Sequence, residues 1–129
     1  MDGNKKKILI ADDNSLNRFA TKSMLEKNGF LVECVQNGKE VITAFTCSDE
    51  GEFSAILMDT TMPIYDGINA TGIIRGSSHS DAESIPIIAV TVIDSEHERK
   101  SAAAAGMNDY LVKPFSAEAL MSMLAKYIK

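Results

Sequence analysis

Lys7-Ile8-Leu9-Ile10-Ala11-Asp12-Asp13 and Ala55-Ile56-Leu57-Met58-Asp59 decide the fold of this chain. Each is a short apolar run that stops at a carboxylate. Such a run reads as a strand buried on both faces, ending at the open edge of a parallel sheet. Two further runs close on a polar residue in the same way. Ile87-Ile88-Ala89-Val90 ends at Thr91, and Tyr110-Leu111-Val112 ends at Lys113.

Helical patterns fill the spaces between these runs. After the first strand, read as Lys6 to Ala11, Asn14 and Ser15 offer cap side chains, and Leu16, Phe19, Ala20 and Met24 form a helical stripe that ends at Asn28-Gly29. A second strand is expected over Phe30 to Val35. Asn37-Gly38 is expected to turn the chain into a short helix carrying Val41, Ile42 and Phe45. The third strand is read as Phe53 to Met58, and Asp66-Gly67 leads into a helix over Ile68 to Arg75 with Gly72 inside it. Gly76 to Pro86 has no periodicity and is expected to be a mobile surface loop. Ser95-Glu96-His97-Glu98 matches a capping box ahead of an Ala-rich helix ending at Gly106. Ser116 caps a last helix whose Leu120, Met123, Leu124, Tyr127 and Ile128 follow helical spacing.

Five strand–helix units predict an α/β fold in one domain, residues 1–129: a doubly wound, five-stranded parallel sheet with helices on both faces. Function in such sheets lies at the carboxyl ends of the strands. Asp12, Asp13, Asp59, Thr91 and Lys113 all fall there. Three carboxylates in one cleft repel one another unless a cation joins them, and Mg²⁺ favours a few carboxylates together with waters and a phosphate. A metal site, a hydroxyl and an ammonium converging on Asp59 are what phosphoryl transfer to a carboxylate requires.

Composition narrows the function classes. The chain has 129 residues, 45% of them apolar and 24% charged, with a net charge of −5. That charge argues against nucleic acid as a direct partner, because nucleic-acid binders carry a clustered basic face. Lys5-Lys6-Lys7 reads as a solvated start. No apolar segment is long enough to span a bilayer, so no direct membrane partner and a cytoplasmic location are expected. Cys34 and Cys47 read as reduced and inert, His79 and His97 as solvated, and the methionines as core filler. Asp12-Asp13-Asn14 lacks the glycine of a calcium-binding loop, and Gly38-Lys39 lacks phosphate-loop spacing.

Taken in order, Asp12-Asp13, Met58-Asp59-Thr60-Thr61-Met62-Pro63, Asp66-Gly67, Ala89-Val90-Thr91 and Lys113-Pro114 resemble the receiver domains of two-component response regulators, from Lys6 to Lys129. The resemblance implies a flavodoxin-like sheet of order 2-1-3-4-5. It implies that Asp59 accepts a phosphoryl group from a phosphohistidine on a histidine kinase or histidine phosphotransfer protein. Mg²⁺ would be held by Asp12, Asp13, Asp59 and the backbone carbonyl of Thr61. Lys113 and Thr91 would contact the phosphoryl group. Tyr110 matches an aromatic switch position, and Lys113-Pro114 a bond that is often cis. The fourth helix, fifth strand and fifth helix would then present a changed face to a downstream protein target. The chain departs from the family at Val92, where a small residue is usual. With Thr61 and Ile93 alongside, its bulk predicts slowed self-dephosphorylation.

Such a receiver gains and loses its own phosphoryl group and is not an enzyme in the ordinary sense, although its parent chain can be a histidine kinase. An aspartyl-phosphate phosphatase would want an acid at position 61, which is Thr. A flavin protein of the same fold would want a hydroxyl- and glycine-rich loop where Asp12-Asp13 stands. A degenerate receiver would have lost one of the five key residues. The chain fits either a standalone regulator or the receiver of a hybrid sensor histidine kinase. Asn14, Asn17-Arg18, Ala70-Thr71, Ile74-Arg75 and Gly106-Met107-Asn108-Asp109-Tyr110 resemble the hybrid type.

Overall fold

The computed structural model describes residues 5–62 and 64–128. Met1 to Asn4, Pro63 of the Met58–Pro63 motif, and Lys129 lie outside the described residues. The described elements alternate as expected: β1 (Lys7–Ala11), α1 (Ser15–Lys27), β2 (Leu31–Val35), α2 (Gly38–Thr46), β3 (Ala55–Asp59), α3 (Gly67–Arg75), β4 (Ile87–Thr91), α4 (Glu96–Ala105), β5 (Asp109–Val112) and α5 (Ala117–Ala125). The strands form one parallel sheet of order β2-β1-β3-β4-β5.

Alternation along the strands builds two cores, because successive side chains leave opposite faces of a sheet. Leu9, Ile56, Met58, Ile87 and Ala89 meet Val41 and Phe45 of α2, Ala70 and Ile74 of α3 and Ala102 of α4. Ile8, Ile10, Leu57, Ile88 and Val90 meet Leu25 of α1 and Leu120 and Leu124 of α5. The central strands β3 and β4 are buried throughout, which is why they read as unbroken apolar runs.

Local signals explain most boundaries. Asn14, Asp66, Ser95 and Ser116 each accept a hydrogen bond from the backbone N–H three residues on, which satisfies an otherwise orphaned helix donor. Gly106 ends α4 at φ 109°, a conformation that favours glycine.

Several expectations need correction. Asn37 is the N-cap of α2 rather than part of a turn, its Oδ1 accepting from the Glu40 N–H at 2.8 Å. Leu16 and Phe19 do not enter the core: they are 77% and 72% exposed, and α1 buries only Leu25. Lys7 is not a solvated lysine. Its Nζ lies 3.0 Å from Glu52 and 3.2 Å from Glu33, above the Phe53 ring.

The stretch from Gly76 to Pro86 is tied down. Ala82 and Ile85 are buried, and Arg75 donates to the carbonyls of both, at 3.0 and 2.7 Å. His79 also departs from expectation, with its side chain only 6% exposed. Its ring packs on Phe45, its Nδ1 accepts from the Asp81 N–H at 2.9 Å, and its Nε2 faces the Ser48 carbonyl at 2.9 Å. The unpatterned sequence of this loop hides these contacts because they involve backbone groups and residues distant in the chain.

Candidate functional site

Strand register assembles the cleft. Ala11 pairs with Met58, and Asp59 pairs with Val90, so Asp12 and Asp59 emerge from neighbouring strand ends. Thr91 pairs with Val112, so Thr91 lies one place beyond Val90 and Lys113 follows its neighbour. The sites expected from sequence therefore converge on one sheet edge.

Asp12, Asp13 and Asp59 each offer a carboxylate oxygen within 4.8 Å of the others. Asp12 and Asp59 are buried, whereas Asp13 is exposed. Lys113 bridges the two buried acids, its Nζ 3.0 Å from Asp12 Oδ2 and 3.2 Å from Asp59 Oδ2. The second oxygen of each acid accepts one backbone hydrogen bond, which leaves lone pairs on both carboxylates for a cation. Asp12 Oδ1 accepts from the Asn14 N–H and Asp59 Oδ1 from the Thr61 N–H, both at 2.9 Å. Arg18, which sequence reasoning did not assign to the site, donates from α1 to the Asp12 carbonyl at 2.6 Å.

Burial pushes the Asp59 carboxyl above the usual carboxylate range and Asp12 adds to the rise, against the opposing Thr61 N–H and Lys113 ammonium. Burial also works against the Lys113 ammonium, but Asp12 and Asp59 together hold it above its ordinary value. One ammonium thus faces three carboxylates. The excess negative charge and the short oxygen–oxygen spacings suit a hard divalent cation.

Gly67 sets the back wall of the cleft. A Cβ there would come within 2.1 Å of the Asp59 carbonyl oxygen, so only glycine lets the start of α3 approach the end of β3 this closely. Asp66-Gly67, expected from the sequence to lead into a helix and one of the motifs of the resemblance, supplies this close approach. The Thr60 hydroxyl, buried beside Asp59, is the one buried side-chain polar atom without a partner among the described residues.

Thr91 is 2% exposed, and its Oγ1 accepts from the Ile93 N–H at 3.1 Å. The Ile93 carbonyl accepts from the Tyr110 hydroxyl at 2.5 Å. Ile93 therefore links Thr91 to Tyr110 through its backbone. Tyr110 is 8% exposed and belongs to the core shared by α2, α3 and α4. The Lys113-Pro114 bond is cis.

Beside the cleft lies a groove of about 360 Å³, whose lining includes Ala20, Met24, Val92, Lys113 and Phe115. Val92 stands exposed on its rim. Leu16 and Phe19 are exposed on the first turns of α1, the helix that also lends Ala20 and Met24 to the groove.

The chain belongs to the response regulator receiver domain family, which it matches over residues 8–125. Its sequence is 33% identical, over 95% of its length, to part of hybrid signal transduction histidine kinase I of Dictyostelium discoideum, and it spans 7% of that kinase. Among solved structures, the receiver domain of a sensor histidine kinase from Pseudomonas aeruginosa PAO1, with magnesium ion coordinated in its active-site cleft, superposes with a TM-score of 0.85. That pair is 33% identical and covers 95% of this chain and 97% of the other. Chemotaxis response regulator CheY4 of Vibrio cholerae gives a TM-score of 0.88 at 26% identity, covering 97% of this chain and 100% of that one. The fold, the family and the strand order expected from the sequence are borne out. Among the described residues no helix is long and apolar enough to cross a membrane.

Proposed function

We propose that Asp59 is the phosphoryl acceptor of this receiver. The observation that carries the reading is the cluster of Asp12, Asp13 and Asp59 bridged by Lys113 at 3.0 and 3.2 Å. Asp59 attacks phosphorus, the N–P bond of a donor phosphohistidine breaks, and the imidazole leaves as the acyl phosphate forms. The transition state is loose and spreads charge over the equatorial phosphoryl oxygens, so positioning and positive charge do most of the work. Lys113 supplies one charge from a fixed place. Mg²⁺, held by Asp12, Asp13, Asp59 and the Thr61 carbonyl, would neutralise the rest. The Thr61 N–H and the buried position orient Asp59.

The switch proposed for the product state uses the Thr91–Ile93–Tyr110 chain. A phosphoryl group gives the Thr91 hydroxyl an acceptor that exists in one state only, and a two-state shift needs such a differential contact. Tyr110 responds through the Ile93 backbone, altering the α4–β5–α5 face for a downstream protein.

We assign the exposed apolar start of α1 and its groove to docking of the phosphohistidine protein. Contiguous exposed apolar surface beside a reactive cleft marks a partner site, and Asp59 needs a donor large enough to hold a histidine over it. The parent context we favour is a hybrid sensor histidine kinase acting in the cytoplasm, in keeping with the Dictyostelium relative and the Gly106–Tyr110 run.

Intact mass after incubation with acetyl phosphate tests the acceptor assignment. One added phosphoryl group that needs both Mg²⁺ and Asp59 is expected. Equal uptake by Asp59→Asn would move the acceptor elsewhere.

A further inference from the structure

We infer that Arg99 is a positioning residue that holds Tyr110 in its inward place by stacking its guanidinium over the ring. The guanidinium carbon of Arg99 lies 4.5 Å from the Tyr110 ring centroid, within cation–π range. Asp94 fixes the guanidinium. Its Oδ1 accepts from Arg99 at 2.9 Å (Nη2) and 3.3 Å (Nε). Asp94 immediately follows Ile93, whose carbonyl takes the Tyr110 hydroxyl. One short segment, Ile93-Asp94, therefore holds both ends of the arrangement. The hydroxyl is held directly, and the ring face is held through Arg99.

Magnitudes separate the two contacts. The Arg99–Asp94 pair is about half exposed or more on each side, 48% and 63%, and a pair so solvated adds little stability of its own. Its effect is to orient the guanidinium over the ring. The ring contact is the energetic one, because it favours the inward place of Tyr110, the place the phosphorylated state is proposed to use, over the solvent-exposed one. Arg99 sits in the first turns of α4, a helix that buries only Ala102. Arg99 thus couples the position of α4 to the rotamer of Tyr110, and the strength of the inward state depends on a side chain of α4 as well as on Thr91. This inference rests on the proposed role of Tyr110 as the switch.

The test uses the full chain labelled with 3-fluorotyrosine, with Tyr110→Phe assigning the fluorine signal. Arg99→Gln keeps a polar side chain without charge, Arg99→Lys keeps the charge without the planar fork, and Asp94→Asn frees the guanidinium. Each is compared with wild type with and without Mg²⁺ and beryllium fluoride, a stable phosphoryl mimic. Arg99→Gln is expected to move the Tyr110 signal toward the solvent-exposed position and to weaken beryllium fluoride binding by about two- to fivefold, the equivalent of an exposed cation–π contact. Arg99→Lys should fall between Arg99→Gln and wild type, and Asp94→Asn should shift the signal in the same direction by less.

A Tyr110 signal and beryllium fluoride affinity unchanged in Arg99→Gln would overturn the inference. So would a lowered melting temperature with an unmoved Tyr110 signal, which would make Arg99 merely structural. Wild type that fails to bind beryllium fluoride would instead count against the Asp59 reading. The fluorine signal without ligand would still decide for or against Arg99.

Discussion

α1 and α5 cover the same face of the sheet, and both carry an apolar stripe at helical spacing. In α5 the stripe is core: Leu120 and Leu124 are 0% and 1% exposed. In α1 its first members, Leu16 and Phe19, stand in solvent, and burial begins only toward the carboxyl end, partly at Met24 and fully at Leu25. The difference follows from position along the sheet. The first turns of α1 begin immediately after Asp12-Asp13, at the carboxyl edge of the strands, where the groove opens. An amphipathic pattern reports that a face must be covered. Whether the cover is the sheet or another protein depends on where along the sheet the residues fall.

The largest effect expected from this contrast is on stability. Leu124→Ala should destabilise the fold by about 2–5 kcal/mol through lost burial and a residual cavity, whereas Phe19→Ala should stay within about 0.5 kcal/mol. Chemical denaturation of the two variants measures this directly, and equal losses would return Phe19 to the core.

A smaller effect concerns the acidic cleft, which is buried like α5 but for the opposite reason. Burial raises the folded-state carboxyl of Asp59, so its charged form opposes folding. The stability associated with its protonated form is present below the ordinary carboxylate range and is lost as pH rises through the folded value. Asp59→Asn should therefore raise the melting temperature at pH 7 without Mg²⁺. The gain should fade as the pH drops below the carboxylate range. A gain that persists unchanged at low pH would assign it to some other cause.

The smallest effect is expected at Val92. Its place on the rim, exposed rather than packed over Asp59, limits how far it screens the acyl phosphate from water. Val92→Ala should shorten the phosphoryl lifetime by about two- to threefold, followed as loss of the phosphorylated mass with time. No change would leave the lifetime to Thr61 and Ile93.

Much of this molecule was legible in its sequence because its strands are central and parallel. Buried β3 and β4 are unbroken apolar runs, and each polar residue that closes a run sits at the cleft. Asp12, Asp13, Asp59, Thr91 and Lys113 could thus be placed by counting along strands. What escaped was set by contacts between distant residues. The exposure of Leu16 and Phe19, the burial of His79 against Phe45, the Arg75 bonds to the Ala82 and Ile85 carbonyls, and the Arg99 guanidinium over Tyr110 leave no periodic trace. Asn37 was misread for a local reason: an Asn-Gly pair serves a tight turn or a helix cap equally well, and the hydrogen bond from Glu40 decides for the cap.

The most direct test of the central claim is the rate of phosphoryl transfer to wild type, Asp59→Asn and Phe19→Ala from two donors, acetyl phosphate and a phosphorylated histidine phosphotransfer protein. Asp59→Asn should accept from neither donor. Phe19→Ala should accept from acetyl phosphate at the wild-type rate and from the protein donor about tenfold or more slowly, as expected for an apolar anchor at an interface. Transfer to Asp59→Asn from either donor would contradict the acceptor assignment, and equal slowing of Phe19→Ala with both donors would contradict the docking face.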